Sequence, residues 1–229
     1  MNLAEIAVSS STGSATVTGN ITAAADTLLI CVVAAELNYD PGSLTGPSGW
    51  AALEPTVGDM SVGNNIIGAW WKANATAGSV NASVTWVKDT FAPVDTPNEM
   101  IMHLLEVGGG SLVDDYAGRG GNTDNDGGIP SNAEDGAIAI SREGNLGVFT
   151  GLIADVAANL SAPTGYSVAA ETNSTSTAWC LATYTKALPF ATYYEAQAVT
   201  STGRDVDYAF WHLEADIDLA QSIFLGGDF

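Results

Sequence analysis

The chain has 229 residues, enough to bury a full core in one large or two small domains, and its 46% hydrophobic content excludes a disordered polymer. Its 26 acidic residues against six lysines and arginines give a formal net charge of -20. That balance excludes duplex nucleic acid as a partner, because phosphate contacts need clustered cations. No apolar run reaches the roughly 18 residues of a membrane span, and the first residues lack the basic and apolar parts of a signal peptide, so neither membrane insertion nor export by that route is expected.

Residues 12–22 are small, threonine-rich and β-prone. Residues 27–36 are apolar on both alternating faces: Leu28, Ile30, Val32 and Ala34 on one, Leu29, Cys31, Val33 and Ala35 on the other. Such a run predicts a strand covered on both sides. A loop follows, with turn chemistry at Asp40-Pro41-Gly42 and Pro47-Ser48-Gly49. Trp50 then enters a strand, and residues 64–72, 82–88 and 99–107 read as three more. Residues 108–130 are glycine-rich and break the pattern. Beyond them, residues 136–141, 146–155, 166–170, 177–186, 193–200 and 206–216 read as strands.

The two series look alike. Pro47-Ser48-Gly49-Trp50 is echoed by Pro163-Thr164-Gly165-Tyr166, and Lys72-Ala73 by Lys186-Ala187. The apolar run at 28–36 is echoed at 146–155, and Met102-His103-Leu104 by Trp211-His212-Leu213. Four landmarks in one order predict an internal repeat, with the two histidines at equivalent positions. The expected fold is all-β: an antiparallel β-sandwich, jelly-roll-like, built from two similar halves. Residues 1–110 form the first half, 111–135 a glycine-rich connector, and 136–229 the second half with a C-terminal tail. One body is expected, because both long apolar strands need cover on two faces.

The order of these motifs resembles a Pro-x-Gly-Trp β-sandwich module found in structural proteins of tailed phages and archaeal viruses. The matching residues are Pro47, Gly49, Trp50, Trp70, Lys72, Ala73, Ala77, Gly78, Val84, Glu106 and Gly108. The second half departs from it, with Tyr166 in place of tryptophan and no Ala-Gly after Lys186. The resemblance implies a scaffold in a virion or cell-exterior setting. It implies no catalytic site.

Reactive constellations are sparse. Asn122, Asp124 and Asp126, followed by Gly127, fit the start of a calcium loop, with oxygen ligands at alternate positions. The twelfth position is Ala133 rather than a glutamate, so a solvated polar turn competes with Ca²⁺, the one cofactor considered. Glu214, Asp216 and Asp218 alternate as on one face of a strand, which reads as a solvated edge. Cys31 and Cys180 lie in apolar runs and read as buried thiols rather than a disulfide. No Gly-x-Ser-x-Gly elbow is present, and no carboxylate pair stands out, so no enzyme is expected. Trp70 and Trp71 fall on opposite faces of one strand, so one of them is a candidate for stacking on a sugar. Five Asn-x-Ser/Thr sequons occur, at Asn20, Asn74, Asn81, Asn159 and Asn173.

Together these features give an expectation of a non-enzymatic virion structural protein on the particle surface: a capsid decoration, turret, head-fibre or tail-associated component. Its expected partners are other capsid or tail proteins and further copies of itself. The alternative is a carbohydrate-binding or adhesive module that attaches to a host-surface glycan.

The charge generates a prediction about salt. Six cationic side chains cannot pair off 26 acidic ones. The screening length is roughly 30 Å at 0.01 M salt and about 3 Å at 1 M, so self-repulsion spans the folded body in one case and not in the other. Melting temperature and self-assembly should both rise from 0.01 M to molar NaCl. A melting temperature flat across that range would reject a saline adaptation.

Overall fold

The computed structural model describes residues 2–36, 42–60, 65–74, 76–88, 96–108, 113–122, 137–139, 145–153, 162, 165–175, 179–188, 193–195 and 206–215. Among them every regular element is a strand. The first half contains β1 (Asn2–Thr12), β2 (Thr16–Ala23), β3 (Thr27–Glu36), β4 (Ser43–Thr45), β5 (Ala51–Met60), β6 (Asn65–Asn74), β7 (Gly78–Val87) and β8 (Glu99–Gly108). The second contains β9 (Val113–Asn122), β10 (Ala137–Ala139), β11 (Asn145–Ile153), β12 (Ser167–Asn173), β13 (Cys180–Leu188), β14 (Tyr193–Glu195) and β15 (Val206–Ala215). All pairings are antiparallel.

Strands β1-β8-β3-β6-β5 form a five-stranded sheet, and β2-β7-β4 a three-stranded one. The chain passes back and forth between them, which is the wrap of a jelly roll. A second five-stranded sheet has the order β12-β13-β11-β15-β9, beside a two-stranded β10-β14 ladder. The second order is the first one repeated. Strands β9, β10, β11, β12, β13, β14 and β15 take the places of β1, β2, β3, β5, β6, β7 and β8, and β4 alone has no described counterpart.

Among the described residues, the first half's two sheets and the second five-stranded sheet pack through two cores. Val17 and Ile21 of β2 and Val84 and Trp86 of β7 meet Leu29, Cys31 and Val33 of β3 in the outer core. On the other face of β3, Leu28, Ile30, Val32 and Ala34 meet Leu146, Val148, Leu181, Trp211 and Leu213 of the second five-stranded sheet. The period of two sends successive side chains of β3 to opposite faces, and both faces are dry. That is why the strand is apolar from Leu28 to Ala35. By contrast, β2 has one buried and one solvated face, and it alternates. On its solvated face Thr18 bonds Ser83, and Asn20 donates to Ser79 and Asn81 across the ladder.

The sequence landmarks of the two halves lie at matching register positions. Leu28 pairs with Ala73 and Val107, and Leu146 pairs with Ala187 and Leu213. Ala51 pairs with Trp71, and Ser167 with Thr185. Gly49 and Gly165, the glycines of the two motifs, precede equivalent strands and have φ 78° and 79°. The Trp50 amide donates to the Pro47 carbonyl and closes the turn at Gly49. Trp50 is half-buried against the outer core, and Tyr166 is buried.

Three expectations change. Residues 113–122, read as part of a connector, form the edge strand β9 on β15. Glycine weakens a strand because it brings no side chain to pack, but an edge position with a full backbone ladder tolerates it. Residues 2–12, not read as a strand, form the long edge strand β1 on β8. The two histidines are not equivalent: His103 pairs with Val32 and His212 with Gly147, whereas Val32 corresponds to Thr150, whose partner is Ala209.

Gly49 gives a clean test of the turn. A Cβ there would touch nothing within 4 Å, so the cost of Gly49→Ala is conformational alone. The variant should lose about 1–2 kcal/mol in denaturant melts, the penalty of a left-handed L-residue. No loss would show that the turn relaxes to negative φ.

Candidate functional site

The most polar cluster within the described core lies between the two five-stranded sheets, at one end of β8. Glu99, Ile101, His103, Leu105 and Val107 alternate onto the face of β8 that meets the second sheet. His103 is fully buried. Its Nδ1 lies 2.8 Å from the Thr183 hydroxyl on β13, and its Nε2 2.9 Å from the Thr172 hydroxyl on β12. A neutral imidazole has one donor and one acceptor, and a hydroxyl can meet either. Thr150 of β11 stands 3.5 Å from the Thr183 hydroxyl and extends the chain of contacts. Four residues along β8, the buried Glu99 carboxylate accepts from the Ser174 hydroxyl and from the Thr175 amide and hydroxyl.

This geometry joins the halves rather than opening to a substrate. Both ring nitrogens of His103 are engaged and no solvent reaches them. Burial lowers the His103 pKa from 6.5 to about 3. At the other end of the strand, the Glu106 carboxylate accepts from the Ala24 amide and ties β8 to the turn before β3.

The sequence candidates fall in different places. Trp70 points into the outer core at 4% exposure and lies across Gly68 and Gly46, so a sugar has no access to it. Its neighbour Trp71 points the other way, half-buried at the rim of the inter-sheet core. Asn122 is the last residue of β9, while Asp124 and Asp126 lie outside the described residues, as do Asp216 and Asp218. Cys31 and Cys180 are both free and buried. Burial pushes the Cys31 thiol far up and the Cys180 thiol up to about 12, which leaves both unreactive near neutral pH. Among the sequons, Asn20 and Asn81 are exposed and paired across the ladder. Asn74 is buried, with its amide on the Ala24 carbonyl. Asn173 is exposed at the end of β12, and Asn159 lies outside the described residues.

The His103 contacts were not legible in sequence. The residue pairs with Val32 at a point where its neighbours Met100 to Leu105 are otherwise apolar, and its partners come from the other half, 69 and 80 residues away.

No protein family matches the chain, and no curated protein does. Among solved structures, a chain titled "Cucumber Leaf Spot Virus" aligns over 93% of this chain and 91% of that one, at 9% identity and a TM-score of 0.21. A score that low defines no common fold. The resemblance to the Pro-x-Gly-Trp module stands on the motif residues alone.

Acid should act through His103. The folded protein keeps the ring neutral down to about pH 3, whereas the unfolded chain protonates it near 6.5. The unfolded state therefore binds the extra proton in that window, and stability falls as pH drops through it, by about 1.4 kcal/mol per pH unit from this group. Above 6.5 the contribution is complete. His103→Gln should flatten the dependence of unfolding free energy on pH between 6.5 and 5, where most carboxylates remain ionised. Equal slopes in the two proteins would show that this ring does not titrate on unfolding.

Proposed function

We propose that the chain is a non-enzymatic structural protein carried on the outer surface of a virus particle, as a capsid decoration, turret, head-fibre or tail-associated component. It works by packing against neighbours in a symmetric assembly. The observation that carries this reading is the jelly-roll wrap with its strand order repeated in the second half. Jelly rolls serve as capsid and lectin domains, and the inference from fold to role is one of analogy. Two further features agree with it. The buried ionisable groups of β8 bind other parts of the chain, and the acidic, lysine-poor composition suits a permanently solvated exterior.

The lectin side of the analogy keeps a carbohydrate-binding or adhesive role as the second reading, with Trp71 rather than Trp70 as the available aromatic.

Antibody raised against the purified chain, followed by gold labelling of intact particles, tests the first reading. Label on the outside of intact particles is the expected result. Purified particles that lack the chain, or label that appears only after disruption, would overturn it. Turnover of host-surface polymers by the isolated chain would remove the non-enzymatic part.

A further inference from the structure

The outward face of the three-stranded sheet is uncharged along its two long strands. Thr18, Asn20 and Thr22 of β2 and Ser79, Asn81 and Ser83 of β7 are all exposed, and they stand opposite one another as Thr18–Ser83, Asn20–Asn81 and Thr22–Ser79. None of the six ionises, in a chain with 26 acidic residues. The face also carries two of the five Asn-x-Ser/Thr sequons, Asn20-Ile21-Thr22 and Asn81-Ala82-Ser83, directly across the ladder from each other.

The sequons differ in what their groups already do. Asn74 is 5% exposed, with its amide on the Ala24 carbonyl, so no enzyme reaches it in the folded chain. In Asn173-Ser174-Thr175 both hydroxyls donate to the buried Glu99 carboxylate, which commits the third residue of the pattern to the contact between halves. Asn159 lies outside the described residues. On β2 and β7, by contrast, the period of two sends each asparagine and the hydroxyl two residues on to the same solvated face. Acceptor amide and hydroxyl stand side by side there for one approaching catalyst.

Within the facing pair the two amides are unequal. Asn20 Nδ2 donates to the Ser79 hydroxyl and to Asn81 Oδ1, both at 2.7 Å, so both of its N–H groups are used. The Asn81 side chain enters that one bond alone, as acceptor, and among the described residues nothing bonds its Nδ2. Asn20 thus holds the amide plane of Asn81 and leaves its nitrogen to solvent. The Ser83 hydroxyl lies 3.1 Å from that of Thr18, on the exposed side of the ladder.

We propose that Asn81 is a glycosylation site, modified by a sugar activated as a glycosyl phosphate. Asn81 Nδ2 forms the bond to the anomeric carbon, the bond from that carbon to the phosphate oxygen breaks, and the amide proton passes to the departing phosphate. No oxidant or reductant takes part. The donor is an anion, and the six side chains of this face carry no carboxylate to repel it. A glycan there occupies the outer face of the three-stranded sheet, so neighbours in an assembly must pack on other surfaces. The site stands apart from the assembly role: labelling of particles decides one, and peptide mass the other.

The test is mass spectrometry of the full chain isolated from its natural source. Trypsin cuts after Lys72 and Lys88, so the peptide 73–88 holds the buried Asn74 and the exposed Asn81 together, and one serves as control for the other. Electron-transfer fragmentation, which keeps a sugar on its asparagine, should place a glycan on Asn81 and none on Asn74. Ser83→Ala, introduced in that source, should abolish the modification while leaving the asparagine in place, and Ser83→Thr should retain it. Melting curves establish that each variant is folded, and the unaltered chain alone decides if one is not. An inhibitor of polyprenyl-phosphate glycosylation in the culture identifies the donor: loss of the sugar assigns a lipid-linked one, and retention a nucleotide-linked one. A peptide 73–88 that is wholly unmodified, a sugar on Asn74, or a sugar kept in folded Ser83→Ala would overturn the proposal.

Discussion

Everything in this fold follows from one strand that must be dry on both sides. β3 lies at the centre of its sheet, and alternate residues go to two different cores. The three-stranded sheet covers one face, and the second half of the chain covers the other. Burying Leu28, Ile30 and Val32 on that second face is worth roughly 1.5–3 kcal/mol each. Their sum is comparable to the whole stability of an ordinary domain, about 5–15 kcal/mol. A first half without the second would expose that surface, so the halves are distinguishable in topology but not independent in energy.

A repeat with matching faces raises a question of partner choice. Two copies of the first half could in principle meet as the two halves do. The polar cluster argues against that pairing. His103 faces Thr183 and Thr172 of the second half, and Thr150 stands behind them. The first-half residues at the positions of Thr183 and Thr150 are Ala69 and Val32. A first-half dimer would therefore bury His103 against groups that can neither donate nor accept. An unpartnered buried polar group costs about 1–3 kcal/mol. One buried imidazole thus favours the intended neighbour over a copy of itself, the role best attested for polar groups in apolar interfaces.

How much of this was legible depended on how local the cause was. The two-sided burial of β3 could be read directly, because an unbroken apolar run from Leu28 to Ala35 admits few other solutions. The Pro-x-Gly turns were equally local, and both glycines adopt the left-handed conformation the motif implies. Edge strands were the failure. β1 and β9 carry glycine, serine and charge, and what makes them strands is the ladder each finds on β8 or β15. Trp70 and Trp71 show a subtler limit. Alternation placed them on opposite faces, but only the layer order decides that the first faces a covered side. The His103 partners depend on contacts between halves, which no local pattern encodes.

The acidity also shaped how carboxylates are buried. A chain with six cationic side chains cannot match its acidic residues with ion pairs. Glu99 and Glu106 accept hydrogen bonds from donors that every chain has in abundance, backbone amides and hydroxyls. Hydrogen bonds from such donors satisfy a carboxylate without a counter-charge, and they act at contact distance, where salt screens little. Surface repulsion is the opposite case, spread over the whole body and open to screening. The two kinds of electrostatics are therefore separated in space. Short-range bonds fix the interior of β8 at any ionic strength, and the long-range field of the exterior is left for the medium to regulate.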